Sequence, residues 1–250
     1  DLYLKPGIEV RGITSQAMVS GITGTAGTDL RLDVTDLAAT LLDRPIRRTA
    51  FRMTLRDGLT RIDELRGELQ GGALTGRIVA GAAKRAYGGH LEVRGASAER
   101  VLGVDPLRKM GGELDLVLDF ENTTGARADL RGAGRLDIRD ANLAEIPIVT
   151  AFSMALEIGR FSSSTMDFEL EGDHIVVRDA NLEGNVAAIR RGSGRVSFAG
   201  DVDLTATVHM GPSWVGPLDL LWRALGNAFL RVRVEGTLRN PRSPAEMFGF

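Results

Sequence analysis

Cysteine is absent from this 250-residue chain, which excludes a disulfide framework, a thiolate metal site and a thiol nucleophile. Aromatic residues are scarce, at 5% of the sequence. No apolar run reaches the roughly 18 residues that a membrane-spanning helix needs. An excess of one charge is also missing, because 31 basic residues face 33 acidic ones and the formal net charge is −2. Nucleic acid, which selects a basic surface, is therefore not expected as a partner.

The sequence nonetheless has the composition of a folded domain. Hydrophobic residues make up 43% of it, which is enough for a sizeable apolar interior and excludes intrinsic disorder. The chain begins at Asp1, with neither an initiator methionine nor a signal peptide. We therefore expect it to be a piece of a longer protein, whose compartment cannot be read from this N-terminus.

A period of two dominates the hydrophobic pattern along almost the whole chain. Val202, Leu204 and Val208, for example, alternate with Asp201 and Asp203. One apolar side and one charged side are typical of antiparallel strands with one solvated face. Turn signals such as Asp57-Gly58 and Gly172-Asp173 separate the runs. We predict a mainly β fold, with roughly a dozen strands or more joined as successive hairpins.

Helical patterns are few and short. We predict helices over residues 35–42, 97–102, 146–158 and 213–225. The last segment holds both tryptophans of the chain on one apolar stripe. The residues of this stripe are predicted to cap a groove or to contact a membrane: Trp214, Leu218, Leu221, Trp222 and Leu225.

The second half of the chain repeats itself. The pentapeptide Arg-Asp-Ala-Asn-Leu occurs at residues 139–143 and again at 178–182, each time after a short apolar alternation. Reuse of a hairpin unit explains the repeat, although two copies do not define a solenoid. No low-complexity linker interrupts the chain, so we predict a single domain over 1–250. Repeating hairpins form its first part, 1–129, and a module with two short helices forms the second, 130–250.

Catalytic and cofactor signatures are missing from the sequence. His90, His174 and His209 lie far apart, without the spacing of a zinc site. The two Gly-x-Gly segments, which begin at Gly132 and Gly192, lead into strand patterns rather than helices, unlike a dinucleotide fingerprint. We expect no catalytic residue, no metal and no cofactor.

The amount of one-faced strand requires an explanation, because so long an apolar surface must be covered. Two sheets of a closed sandwich or barrel would cover each other. The other solution is an antiparallel, strongly curved sheet that forms an elongated groove, or β-trough, with a few short capping helices. Aliphatic residues without aromatics suit acyl chains better than sugars. We predict that these residues line the groove: Leu114, Leu116, Leu118, Phe120, Leu136, Ile138, Met166, Phe168, Leu170, Val196, Phe198, Val202, Leu204, Val208, Leu230, Val232 and Val234.

Several phrases of the sequence resemble the AsmA-like family, in particular its C-terminal region. Residues 132–147 read Gly-Ala-Gly-Arg-Leu-Asp-Ile-Arg-Asp-Ala-Asn-Leu-Ala-Glu-Ile-Pro and lead into a short helix. Residues 168–177 and 192–204 follow, and residues 232–241 close with Val-Arg-Val-Glu-Gly-Thr-Leu-Arg-Asn-Pro. Upstream, residues 65–76 are similar to the repeating hairpins of the family.

The resemblance implies a bacterial cell-envelope protein without a catalytic motif. AsmA-like proteins are typically anchored in the inner membrane and have a periplasmic body that is thought to carry phospholipid between the two membranes, akin to bridge-like lipid-transfer proteins. The expected partners are phospholipid acyl chains, a membrane surface and envelope proteins. A non-transport envelope scaffold or outer-membrane assembly module is the alternative, with a β-rich polysaccharide lyase as a third reading.

Overall fold

The computed structural model describes residues 2–4, 8–10, 16–24, 27–41, 44–81, 85–156, 161–185, 187–210, 230–238 and 240–242. This part of the chain is mainly β, with antiparallel pairing and few helices, which confirms the predicted fold class at that level. Its strands are β1 (Leu2–Leu4), β2 (Ile8–Val10), β3 (Gln16–Gly24), β4 (Gly27–Leu41), β5 (Arg44–Arg56), β6 (Leu59–Leu69), β7 (Gly72–Gly81), β8 (Tyr87–Ser97), β9 (Gly111–Asn122), β10 (Leu130–Ala141), β11 (Phe161–Glu171), β12 (His174–Gly184), β13 (Ala187–Ser197), β14 (Asp201–Met210), β15 (Leu230–Thr237) and β16 (Asn240–Arg242).

Two α-helices accompany the strands, α1 (Ala98–Leu102) and α2 (Pro147–Leu156), together with 3₁₀ turns at Pro106–Arg108, Arg127–Asp129 and Leu143–Glu145. Both helices coincide with predicted ones. The helix predicted over 35–42 is wrong, because its described residues belong to β4, where Leu37 pairs with Thr49 and Ala39 with Ile46. The helix predicted over 213–225 lies outside the described residues. Within the described part, no helix is both long and apolar enough to cross a bilayer.

The chain forms two compact units. Unit one contains Asp1–Ser97 and Leu114–Gly134, and unit two contains Ala98–Glu113 and Arg135–Phe250. In unit one, β4 to β8 follow one another in the sheet, while β2 and β3 both pair with β4. In unit two, β11 to β16 also follow one another. The organisation into a single domain with parts 1–129 and 130–250 stays a prediction.

Tight hairpin turns explain this simple order of strands. Between β5 and β6, Asp57 and Gly58 have φ values of 50° and 75°. Between β6 and β7, Gln70 and Gly71 have φ values of 52° and 91°. Two consecutive positive φ angles define the type I′ turn, whose twist matches that of the flanking strands. Successive strands are therefore returned directly alongside their predecessors.

Bulges interrupt the alternation inside several strands. Arg48, Glu64, Asp140 and Arg191 have φ values of 51°, 55°, 53° and 53°, although none of them is a glycine. The buried apolar positions of β13 change parity there, from Ala187 and Ile189 before Arg191 to the even positions after it. An extra residue in one strand shifts all later side chains to the opposite face and bends the strand. Each bulge therefore keeps one face apolar while the sequence changes phase.

Candidate functional site: the apolar face of unit two

Nine of the predicted lining residues of unit two come together on one face of β11–β15. Their cross-strand pairs form four rows, which together we call the apolar face. The rows are Leu170–Ile175–Val196–Val202, Phe168–Val177–Gly194–Leu204–Val234, Met166–Ala180–Gly192 with Ala206–Val232, and Leu182–Ile189–Val208. Direct partners across antiparallel strands lie about 5 Å apart on the same side of the sheet. Apolar side chains therefore follow one another along the first and last rows, whereas Gly194 interrupts the second row and the bulge between Gly192 and Ala206 interrupts the third.

Burial divides the apolar face into two parts. Ile189, Val208 and Val234 are 1%, 0% and 0% exposed, as in a close-packed core. Ile175, Val196 and Leu204 are only half-buried, and they surround Gly194. We call these three side chains the half-buried patch. Met166, Ala180 and Leu182 are half-buried as well, but they lie in the other two rows.

Gly194 lets β13 approach Asp203 and Leu204 of β14 closely. A Cβ atom at this position would lie 2.1 Å from the carbonyl oxygen of Asp203, and the backbone has a φ of 143°. Only glycine adopts such a conformation at this close approach of two strands. The row that runs from Val177 to Leu204 therefore has no side chain at its centre.

The opposite side of the same strands carries ion pairs. The Arg233 guanidinium donates two hydrogen bonds of 3.0 Å to the Asp203 carboxylate and also contacts Glu235 at 2.8 Å. Arg178 bridges Glu169 and Glu171. Hydrogen bonds from Arg233 hold the pKa of Asp203 below its ordinary value, and those from Arg178 do the same for the pKa of Glu169. This face of β11–β15 is therefore mainly charged, apart from the buried Val176, and the opposite face is apolar.

Helix α2 accounts for part of the burial near one edge. It contacts β15 and β16, and neither its first nor its last turn contains a charged residue. In β15, Val232 and Val234 are 3% and 0% exposed. This edge of the apolar face is thus an ordinary core of the kind that forms under a helix.

The four candidate residues of β9 belong to unit one. Leu114 is 1% exposed, whereas Leu116, Leu118 and Phe120 are half-buried. The Phe120 ring lies beside Gly89 and meets Tyr87 at a centroid distance of 6.3 Å. In β10, the candidates Leu136 and Ile138 belong to unit two, where Ile138 is 4% exposed.

Three groups of candidates lie elsewhere. Phe198 lies in the turn after β13, where it is 40% exposed and its backbone N–H donates to the Asp173 carbonyl. Leu230 begins β15, but its side chain is outside the described part of the chain. The predicted cap residues Trp214, Leu218, Leu221, Trp222 and Leu225 all lie outside the described residues.

The candidate set omitted partners that the structure places within the same rows. Ile175, Val177, Leu182 and Ile189 pair directly with candidate residues or with one another. The bulges of β12 and β13 hid them, because the apolar positions change parity between Val177 and Ala180 and again at Arg191. A change of parity within one run of apolar residues is the sequence signal that predicts such partners.

The charged groups of the described residues do not assemble into a metal site. Within those residues, no three His, Asp or Glu side chains form a group that could hold an ion. His90 and His174 each pair with a single aspartate, Asp119 at 2.8 Å and Asp173 at 2.6 Å. The site is therefore described by its apolar surface.

Comparisons with protein-family models, with curated proteins and with solved structures find no match for this chain. The AsmA-like resemblance accordingly depends on the sequence phrases that suggested it.

Proposed function

We propose that this chain is a β-groove segment of an AsmA-like protein of the bacterial cell envelope, which binds phospholipid acyl chains and contributes to their transport between the inner and outer membranes. The observation that carries the acyl-chain proposal is the half-buried patch of Ile175, Val196 and Leu204 within the rows of the apolar face. The envelope location, the periplasmic body and the upstream membrane anchor rest on the resemblance.

The chemistry of the patch favours an acyl chain over a polar ligand. Ile175, Val196 and Leu204 have no hydrogen-bonding side chain, so the patch attracts a ligand by removing apolar surface from water. Its direct neighbours Val177 and Val202 are also aliphatic and are buried. A long, unbranched apolar ligand can contact these aliphatic side chains without losing hydrogen bonds. A sugar or nucleotide would lose hydrogen bonds to water without replacing them.

The bulges support the proposed curvature of the sheet. In unit two, extra residues interrupt the pairing in the middle of β12 and β13, and in unit one they do so in β4, β5 and β6. Each bulge bends its strand and increases the local twist. Neighbouring bulged strands within each unit favour a curved sheet, and a curved sheet with an apolar face forms the trough that we propose.

Lipid extraction from the purified chain tests this proposal. Leu204→Asp places a charge within the half-buried patch, and Thr205→Asp places the same charge on the next residue, which faces the charged side opposite Ser193 and Arg233. We expect phospholipid in extracts of the native chain and of Thr205→Asp, and none in Leu204→Asp, with all three folded by circular dichroism. Equal lipid in both variants, or none in the native chain, would contradict the proposal.

A second candidate is a non-transport envelope scaffold or assembly module that binds protein partners. The full burial of Ile189, Val208 and Val234 and the contact of α2 with β15 favour it, because these features describe a core without a ligand. A native chain that is folded, free of lipid and unresponsive to added phospholipid would favour the scaffold.

A further inference from the structure

The connection between β8 and β9 belongs to unit two and is longer than the tight hairpin turns. Residues 98–110 leave the sheet after β8 and return to it at β9, and we call them the 98–110 loop. The loop contains α1 and the 3₁₀ turn Pro106–Arg108. Connections in compact domains have a median length of about 4–6 residues, so this connection is unusually long.

Both ends of the loop are fixed to unit two. Ala98 and Met110 are 0% and 2% exposed. The Met110 carbonyl accepts a 2.7 Å hydrogen bond from the backbone N–H of Asn142. The Glu99 carboxylate accepts a 3.1 Å hydrogen bond from the backbone N–H of Gly111. The loop therefore has a defined base.

A leucine at the tip of the loop is exposed to solvent. Leu107 is 87% exposed, the largest value among the exposed large hydrophobic residues of the described part. Asp105 shapes the turn around it, because its side chain accepts the N–H of Leu107 at 3.0 Å and its carbonyl accepts the N–H of Arg108 at 2.9 Å. On the same loop, Leu102 is 40% exposed. The loop therefore exposes two leucine side chains that the fold does not bury.

Cations flank this apolar tip. Arg108 and Lys109 follow Leu107 directly and are exposed, so residues 105–109 have two positive groups and the single negative charge of Asp105. We propose that the tip of the 98–110 loop contacts the surface of a bilayer that contains anionic phospholipid. Leu107 enters the boundary between headgroups and acyl chains, and Arg108 and Lys109 pair with phosphate and carboxylate groups outside it.

The size of the tip favours a bilayer over a protein partner. A stable protein interface buries on the order of 1,000 Å² or more, far beyond what one leucine and two cations offer. A bilayer surface accepts a small apolar tip and rewards neighbouring positive charge. The contact is weak and reversible, and it goes beyond the proposed acyl-chain binding, since it involves other residues and an intact membrane.

The absence of cysteine allows a direct test. Leu107→Cys provides a single labelling site for an environment-sensitive fluorophore, and Val117→Cys, at a 37% exposed position of β9, is the matched control. We expect a blue shift at position 107 with phosphatidylcholine vesicles that contain phosphatidylserine, and none with phosphatidylcholine alone or at position 117. High salt should weaken the response, because it screens the charges.

Two unlabelled variants complete the test. Leu107→Ser and the double variant Arg108→Ala/Lys109→Ala should each reduce flotation of the chain with phosphatidylserine vesicles roughly tenfold, with unchanged circular dichroism. The proposal is overturned if the label at position 107 stays in water with every vesicle, or if it responds equally to both compositions. Lipid extraction reads the half-buried patch independently, so either proposal can fail without the other.

Discussion

Leu204 and Val208 lie on the same face of β14, and neither the alternation nor the strand separates them. Yet Val208 is fully buried, whereas Leu204 is only half-buried. Val208 pairs with Ile189, itself 1% exposed, but Leu204 pairs with Gly194, which has no side chain. Leu204 also pairs with Val234, which is 0% exposed, so one strand face contains both fully buried and half-buried apolar side chains.

A carboxylate should abolish folding at position 208 but be tolerated at position 204. Val208→Asp places a carboxylate in a close-packed site without a partner, which costs several kcal/mol and should abolish cooperative folding of unit two. Leu204→Asp should stay folded, because the half-buried patch lets the carboxylate reach water. Thermal unfolding followed by circular dichroism measures both. Loss of the fold in both variants would show that Leu204 is a core residue like Val208.

Truncation of the side chain should show a smaller difference of the same kind. Ile189→Ala removes a buried side chain beside Val208 and should lower the free energy of unfolding by about 2–5 kcal/mol. Val196→Ala, in the half-buried patch, should lower it by less than about 1.5 kcal/mol, because fewer buried methyl groups are lost. Urea denaturation gives both values. Similar losses at the two sites would show that the patch is packed as tightly as the core.

The charged side of β14 should contribute least. Because Arg233 lowers the pKa of Asp203, ionised Asp203 stabilises the folded chain above its unfolded-state pKa of about 3.9. That contribution is lost as the pH falls through the lower folded-state pKa. Both side chains are about half exposed to solvent, so Asp203→Asn should cost less than about 1 kcal/mol at neutral pH.

Urea titrations at neutral and acidic pH measure this effect. The native chain should lose its advantage over Asp203→Asn on acidification. Asp201→Asn is the matched control, since Asp201 is hydrogen-bonded to Ser197 rather than to an arginine. A cost for Asp203→Asn that does not change with pH would rule out the ion pair as its cause.

The repeated pentapeptide shows how far the sequence predicts this fold. At both copies the apolar positions change parity, from Ile138 to Ala141 and from Val177 to Ala180. Beyond this point the copies diverge. The first leaves the strand for the 3₁₀ turn Leu143–Glu145, whereas in the second Leu182 stays in β12 and pairs with Ile189.

Local sequence explains part of that divergence. Pro147 follows the first copy and begins α2, because its fixed φ suits the first turn of a helix. The partner of Leu182 lies on the next strand and could not be read from the pentapeptide. The periodicity thus predicted the strands and their apolar side, but the phase changes depend on the pairing between strands.

Pairing between strands also explains why the helix predicted over 35–42 is wrong. A capping threonine and a run of leucine and alanine satisfy the local rules for a helix start. In the fold these residues extend β4 past a bulge, and Ala39 pairs with Ile46, which is 8% exposed. Pairing across strands overrode the local preference.

Photo-crosslinking at Leu204 directly tests whether the half-buried patch binds acyl chains. A benzophenone amino acid replaces Leu204 in one chain and Asp203 in another, so that the two probes are adjacent in sequence but face opposite sides of β14. After illumination with radiolabelled phosphatidylcholine, the account predicts labelled protein for the probe at position 204 and none for the probe at position 203. Equal labelling at both positions, or labelling at 203 alone, would contradict the claim that the half-buried patch binds acyl chains.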